Sequence, residues 1–230
     1  MFLVYLFKVE IDTIVVNGNK ILNDNEIMKI VSLNGKEKFL TLNTFKIKNK
    51  LVKNDIIKEA KIKKSPNGTL EIKVEEEKVL FYNKVDQKYV LSNGKSISKD
   101  KNILGVPTLI NYVPKEIYKE LIKKNSLIKE DIIKNISEIE YSPDMKDNVV
   151  FDEYRFILKM NDGNTVHINL ANYNKLNNYN KLYQATISEN DIKKGVFYLD
   201  SIRDDAVLFS DYSSIEKDKE DKDGEKIELP

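Results

Sequence analysis

Cysteine is missing altogether from this 230-residue chain. That excludes a disulfide framework, a thiolate metal site and a Cys/His dyad. His167 is the only histidine, so a His-based metal site cannot be assembled either. There is no tryptophan. Sugar-cleaving carboxylate pairs usually lie in aromatic grooves, but the many Asp and Glu residues leave a carboxylate pair open. Glycine is scarce, at eight residues, and most of it sits in turns. Neither G-x-G-x-x-G nor the phosphate-cradling G-x-x-x-x-G-K motif occurs. Only Arg155 and Arg203 offer the planar fork suited to phosphate. The 38 basic and 37 acidic residues nearly cancel, which leaves no long-range field for nucleic acid. Long apolar runs are also absent. Met1–Phe7 is apolar but far short of the roughly 20 residues that span a bilayer. It reads either as a buried strand or as the remnant of a membrane helix.

What is present is alternation and turn chemistry. Val9–Asn17 is β-rich and partly alternating, and Gly18-Asn19 stops it. Asn23 or Asp24 is placed to cap a helix carrying Ile27, Ile30 and Val31, closed by Asn34-Gly35. A second helix over about 44–54, with Thr44 as its cap, is expected to take Phe45, Ile47, Leu51 and Val52 as its apolar face and Lys46, Lys48, Lys50 and Lys53 as its wet side. Ala60–Lys64 and Thr69–Glu75 alternate around Ser65-Pro66-Asn67-Gly68, the signature of a hairpin. The order strand, helix, helix, strand, strand predicts a three-stranded sheet with two helices on one side.

A second module begins near Lys78 without a flexible linker. Strands are expected over 79–83, 89–91 and 136–142, and the Pro107 segment is expected to be an edge strand or loop. Helices are expected over 114–124, 130–135 and 172–185. Strands over 154–160 and 164–170 flank Asn161-Asp162-Gly163, a strong hairpin signal. Gly195–Ile202 and Ala206–Tyr212 form a closing strand pair, and the charged, aperiodic segment from Ser213 reads as a disordered tail. The bland reading of His167 is a partly exposed strand residue. The bland reading of Tyr173, Tyr179 and Tyr183 is core with hydroxyls at the rim.

Two blocks carry a resemblance. Val16, Gly18, Asn19 and Leu22 precede Glu26-Ile27. Ala60, Ile62, Lys64, Pro66, Thr69, Leu70, Ile72, Val74 and Glu76 then follow at fixed spacing. Together they resemble the POTRA module of cell-division proteins of the FtsQ/DivIB type. In that family a β-rich domain follows the module, and the closing strands from Gly195 and Ala206 are similar to the family's last pair. Asp200 looks like the aspartate of the family's Asp-Leu-Arg-like strand, although Ser201-Ile202 follow it here. Asn172 stands where relatives can carry Arg.

The resemblance implies an α+β fold: a POTRA-like β-α-α-β-β module over 9–76, a mixed β-rich domain with flanking helices over 77–212, and a tail over 213–230. Residues 1–8 would be the remnant of a membrane helix. It further implies a non-enzymatic extracytoplasmic scaffold at the division septum, single-pass in full-length form, without a cofactor or nucleic-acid partner. Its partners would be small coiled-coil proteins of the FtsB/DivIC and FtsL type, with other membrane division proteins docking on the POTRA sheet at Ala60–Lys64 or Val9–Val16. An open sheet edge accepts a partner strand. The docking residues expected are Ala206, Val207, Leu208, Phe209 and Ser210, with Tyr198 and Asp200 beside them. Val207 and Phe209 would share one face and Ala206 and Leu208 the other. Alternatives are another POTRA-bearing assembly or secretion factor, or a cell-wall hydrolase with a carboxylate pair.

Overall fold

A computed structural model describes residues 9–33, 37–98, 100–101, 103–147, 149–188, 191–192, 194–200 and 207–215. The readings placed on Met1–Phe7, Asn34-Gly35, Ser201–Ala206 and residues 216–230 lie outside the described residues. The chain divides into two units, Met1–Lys78 and Val79–Pro230.

The first unit adopts the expected order: β1 (Thr13–Asn17), α1 (Asp24–Val31), α2 (Thr44–Leu51), β2 (Ile57–Lys64) and β3 (Thr69–Glu76). β3 is central. β1 runs parallel to it, with Val16 opposite Ile72, and β2 antiparallel, with Ile62 opposite Ile72. Alternation along β3 sends Leu70, Ile72 and Val74 into a core shared with Ile27, Val31, Ile47 and Leu51 of the helices. Asn23, not Asp24, caps α1. Its side chain accepts from Glu26 N, and Glu26 reaches back to Asn23 N. Asn43 caps α2 in place of the expected Thr44, because the Oδ1 of Asn43 reaches Lys46 N at 3.0 Å. β1 is shorter than the alternation suggested. Val9–Ile11 instead bonds to Glu37–Phe39, with Ile11 N donating to Glu37 O and Phe39 N to Val9 O.

The widely spaced motif residues meet in space. Gly18 has φ +87°, and a Cβ there would lie 2.1 Å from the Val74 carbonyl oxygen. The Glu76 carboxylate accepts from the backbone N–H of Lys20 and Ile21, both at 2.7 Å, and of Leu22 at 3.0 Å. One anion therefore holds three successive donors of the loop after β1.

The second unit contains β4 (Val79–Asn83), β5 (Lys88–Leu91), β6 (Ser96–Ser98), β7 (Thr108–Leu109), α3 (Lys115–Ser126), α4 (Glu130–Asn135), β8 (Ile136–Tyr141), β9 (Asp144–Lys146), β10 (Val149–Asp152), β11 (Arg155–Met160), β12 (Thr165–Asn169), a 3-10 turn (Tyr173–Asn178), α5 (Tyr179–Ala185), β13 (Ile187–Ser188), β14 (Asp191–Ile192), β15 (Gly195–Tyr198) and β16 (Leu208–Asp211). Its nine-stranded sheet has the order β16-β15-β12-β11-β8-β7-β4-β5-β6. One cross-strand row, Ile139–Leu158–Val166–Phe197–Phe209, lies on the face packed against Ile117, Leu121, Tyr173, Leu176 and Tyr179.

Several expectations change. The Pro107 segment holds no edge strand: Pro107 itself lies in the loop that leads into β7. β7 begins one residue after the proline and lies between β4 and β8, parallel to both. The missing N–H is no obstacle there, because the carbonyl of Pro107 accepts from Tyr82 N. The expected helix over 172–185 is a 3-10 turn followed by α5, since Asn177 and Asn178 sit where one turn passes to the other. The closing strands are shorter than expected, at Gly195–Tyr198 and Leu208–Asp211. Ser213–Ile215, read as the start of a disordered tail, are ordered. Tyr212–Ile215 makes a helical turn, with Ser214 N bonded to Asp211 Oδ1. The β9–β10 pair had no sequence counterpart, because Val149, Val150 and Phe151 are consecutive and exposed rather than alternating.

Candidate functional site

Among the described residues β16 is the terminal strand of the large sheet and pairs only with β15, so no described strand lies along its outer backbone edge. The register sets Phe197 opposite Phe209, Tyr198 opposite Leu208 and Val196 opposite Ser210. Phe209 turns into the core, its ring centroid 4.7 Å from that of Phe197. Leu208, on the other parity, is 60% exposed. Val207 precedes the strand and is exposed as well, and Ala206 lies outside the described residues.

Leu208 ends a second cross-strand row, Glu140–Ile157–His167–Tyr198–Leu208, on the face opposite the core. Its centre is a polar cluster. The Arg155 Nε donates to Asp200 Oδ2 at 2.8 Å, and both side chains are largely shielded from solvent. The other branch of the guanidinium meets His167 Nδ1 at 2.5 Å. Arginine only donates, so Nδ1 accepts and the ring is neutral with its proton on Nε2. Burial, and secondarily the Arg155 charge, pushes the imidazole down from its ordinary 6.5 to about 4. The same ring stands edge-on to Tyr198 at 5.0 Å. His167 thus supports Tyr198, which in turn lies beside Leu208.

A second set of contacts fixes where β15 and β16 begin and end. The Tyr179 hydroxyl donates to Asp162 Oδ2 at 2.7 Å and accepts from Asn164 Nδ2 at 3.1 Å. Burial and the Asp162 hydrogen bond hold that phenol far above the ordinary tyrosine range. The Oδ1 of Asn164 accepts from Gly195 N at 2.9 Å, and the Thr165 and Tyr212 hydroxyls meet at 2.8 Å. Gly195 is required by proximity, since a Cβ there would lie 2.1 Å from the Ser210 carbonyl oxygen.

Of the expected docking residues, the structure brings Tyr198, Leu208, Phe209 and Ser210 together on paired strands. Asp200 is tied to Arg155, and Phe209 is a core residue. Sequence reasoning missed Arg155, Asn164 and Gly195. The signal for Arg155 was its rarity, and for Gly195 a glycine opening a strand instead of sitting in a turn. Among the described residues, no group of three or more His, Asp or Glu side chains could hold a metal ion. No described helix is long and apolar enough to cross a membrane.

Two family models match. The POTRA domain of FtsQ type covers residues 9–77, and the C-terminal domain of cell division protein FtsQ/DivIB covers residues 80–200. The second match ends at Asp200, so β16 is described by geometry alone. Curated relatives include cell division protein DivIB of Bacillus subtilis, 30% identical over 196 residues, 83% of this chain and 72% of that one. DivIB of Listeria monocytogenes is 27% identical over 71% of this chain and 61% of its own length. DivIB of Pediococcus pentosaceus is 29% identical over 79% of this chain and half of its own length. The solved major extracytoplasmic domain of DivIB from Geobacillus stearothermophilus, in its trans isomer, is 22% identical with a TM-score of 0.38, over 48% of this chain and 94% of that one.

Proposed function

Because this chain belongs to the FtsQ/DivIB family of cell division proteins, we propose that it is a non-enzymatic, extracytoplasmic scaffold of the division machinery that docks a partner strand on β16. The observation carrying this reading is that no described strand lies on the outer edge of β16, with Leu208 exposed beside it. Unpaired backbone groups on an edge supply directional bonds to any extended chain, and side chains of one parity supply selectivity. Leu208 and Ser210 share the parity turned away from the core. Tyr198 continues that surface onto β15, and Asp200 acts as a positioning residue through Arg155. The partners are small single-span coiled-coil proteins of the FtsB/DivIC and FtsL type. In the full-length form a membrane helix would precede the first unit, which offers β1 and β2 as edges to other membrane division proteins.

The test is titration of a soluble FtsB/DivIC-type segment against Leu208→Lys and Ser210→Lys. Both side chains are directed away from the core, so the fold should persist with unchanged thermal unfolding. A loss of affinity of about tenfold or more is expected for Leu208→Lys, the size of one well-buried interface contact. Unchanged affinity in both folded variants would sink the strand-addition reading. Phe209→Lys is unsuitable, since it would bury a charge against Phe197.

A further inference from the structure

The outward face of α2 combines charge and apolar surface in a way that the first unit's own packing does not use. Between Lys38 and Asn54 the chain has five lysines and no acidic residue, although the whole chain carries a net charge of only +1. α2 buries Ile47 and Leu51. At 3.6 residues per turn, Phe45, Asn49 and Val52 line the opposite side. Phe45 and Val52, expected on the buried face with Ile47 and Leu51, lie on the far side of the helix. Phe45 is 69% exposed, and Val52 is exposed one turn beyond α2's middle. Lys48 flanks that stripe on one side and Lys46 and Lys53 flank it on the other, all three exposed. Lys50 is set apart, its Nζ bonded to the Val31 carbonyl at 2.8 Å at the end of α1. Leu40, just before α2, is exposed as well.

We propose that this face of α2 rests on an anionic lipid bilayer surface, with Phe45 and Val52 entering the headgroup region and Lys46, Lys48 and Lys53 facing lipid phosphates. The inference goes beyond strand docking on β16 and does not depend on it. Three observations favour a bilayer over an acidic protein. The cations are all lysines, which act as point charges toward a diffuse anionic surface, whereas planar pairing with protein carboxylates favours arginine. The apolar residues are central and the long cations peripheral, the arrangement of a helix lying in a membrane interface. Finally, Phe39 N bonds to Val9 O, so Val9, two positions after the apolar sequence Met1–Phe7, lies beside the start of this basic segment.

The experiment is co-sedimentation of the full chain with vesicles of phosphatidylglycerol and phosphatidylcholine, and with phosphatidylcholine alone. Three proteins are compared: the native chain, Lys46→Glu/Lys48→Glu/Lys53→Glu, and a control in the other unit, Lys84→Glu/Lys88→Glu/Lys123→Glu. The control carries the same change in net charge. Each lysine near an anionic surface contributes roughly fivefold to binding. The α2 variant is therefore expected to lose at least about 50-fold in affinity for anionic vesicles, and the control no more than about threefold. Phe45→Ser is expected to lose about fivefold in either salt, while the lysine contribution fades at 0.5 M salt. Equal losses in the α2 and control variants would overturn the proposal, as would a native chain that binds both vesicle types alike. Absence of vesicle binding combined with α2-dependent capture of an acidic division protein would also overturn it.

Discussion

In the first unit a glycine is pressed against the backbone of the central strand, and in the second against that of the outermost one. Gly18 approaches Val74 of β3, and Gly195 approaches Ser210 of β16, each so closely that a Cβ would fall 2.1 Å from a carbonyl oxygen. The steric demand is the same, yet the consequence differs with position. Whatever displaces β3 disrupts the only strand that pairs with both of its neighbours in that sheet. Whatever displaces β16 leaves eight strands paired and removes the surface that the proposed partner needs.

The sharpest way to break this comparison is to add a methyl group at each glycine. Gly18→Ala combines a clash with a positive φ and should destabilise the first unit by at least about 3 kcal/mol. Hydrogen exchange should rise throughout residues 13–76 and stay unchanged in 79–200. Gly195→Ala has no positive φ to contend with, so its cost should be smaller, about 2 kcal/mol. Exchange should rise in β16 alone, and partner affinity should fall with it. If Gly195→Ala instead unfolded the whole second unit, β16 would be part of its core rather than an appended edge.

The remaining tests sharpen the contrast with charge. Glu76→Gln keeps the shape of the side chain but removes the anion from three backbone donors, and should cost the first unit about 1–2 kcal/mol. The second unit should not respond, as chemical denaturation followed by exchange would report. The smallest expected effect is that of His167. Its folded pKa lies below its unfolded one, so the stability it contributes is complete above pH 6.5 and is lost as pH falls toward about 4. With solvent screening of a partly exposed ring, the loss should be about 1 kcal/mol. Thermal melts of His167→Gln between pH 7 and 4 should show a shallower decline than the native chain.

Much of the first unit was legible because its determinants are local. Alternation along Ala60–Lys64 and Thr69–Glu75 defines the hairpin, and the capping residues lie within three positions of the helices they start. Even so, Asn43 was missed as a cap, since Asn and Thr are adjacent and only geometry tells which oxygen reaches Lys46 N. In the second unit the determinants are distant in sequence. Arg155 acts on His167 and Asp200, 12 and 45 residues away, and Asn164 receives Gly195 N from 31 residues on. No periodicity carries such pairings. The place of β7 escaped for another reason, because two residues are too few to show a period, and Pro107 argued for an edge strand or a loop rather than an inner strand. For the proposed docking edge, strand and parity could be read from Leu208 and Phe209, but which parity was buried required the Phe197–Phe209 contact.

The shortness of β7 also bears on how the second unit carries load. Among the described residues, Thr108 and Leu109 form the sole strand linking the leaf β4-β5-β6 to the leaf β8-β11-β12-β15-β16 within the sheet. Beside that link, Tyr82 N meets Pro107 O, Lys84 N meets Leu109 O and Ile110 N meets Ile139 O. Pulled apart across its strands, a sheet tears where the fewest rungs must break at once. Tension transmitted from β16 toward the first leaf would concentrate on this two-residue stitch, which would act as the mechanical fuse of the unit.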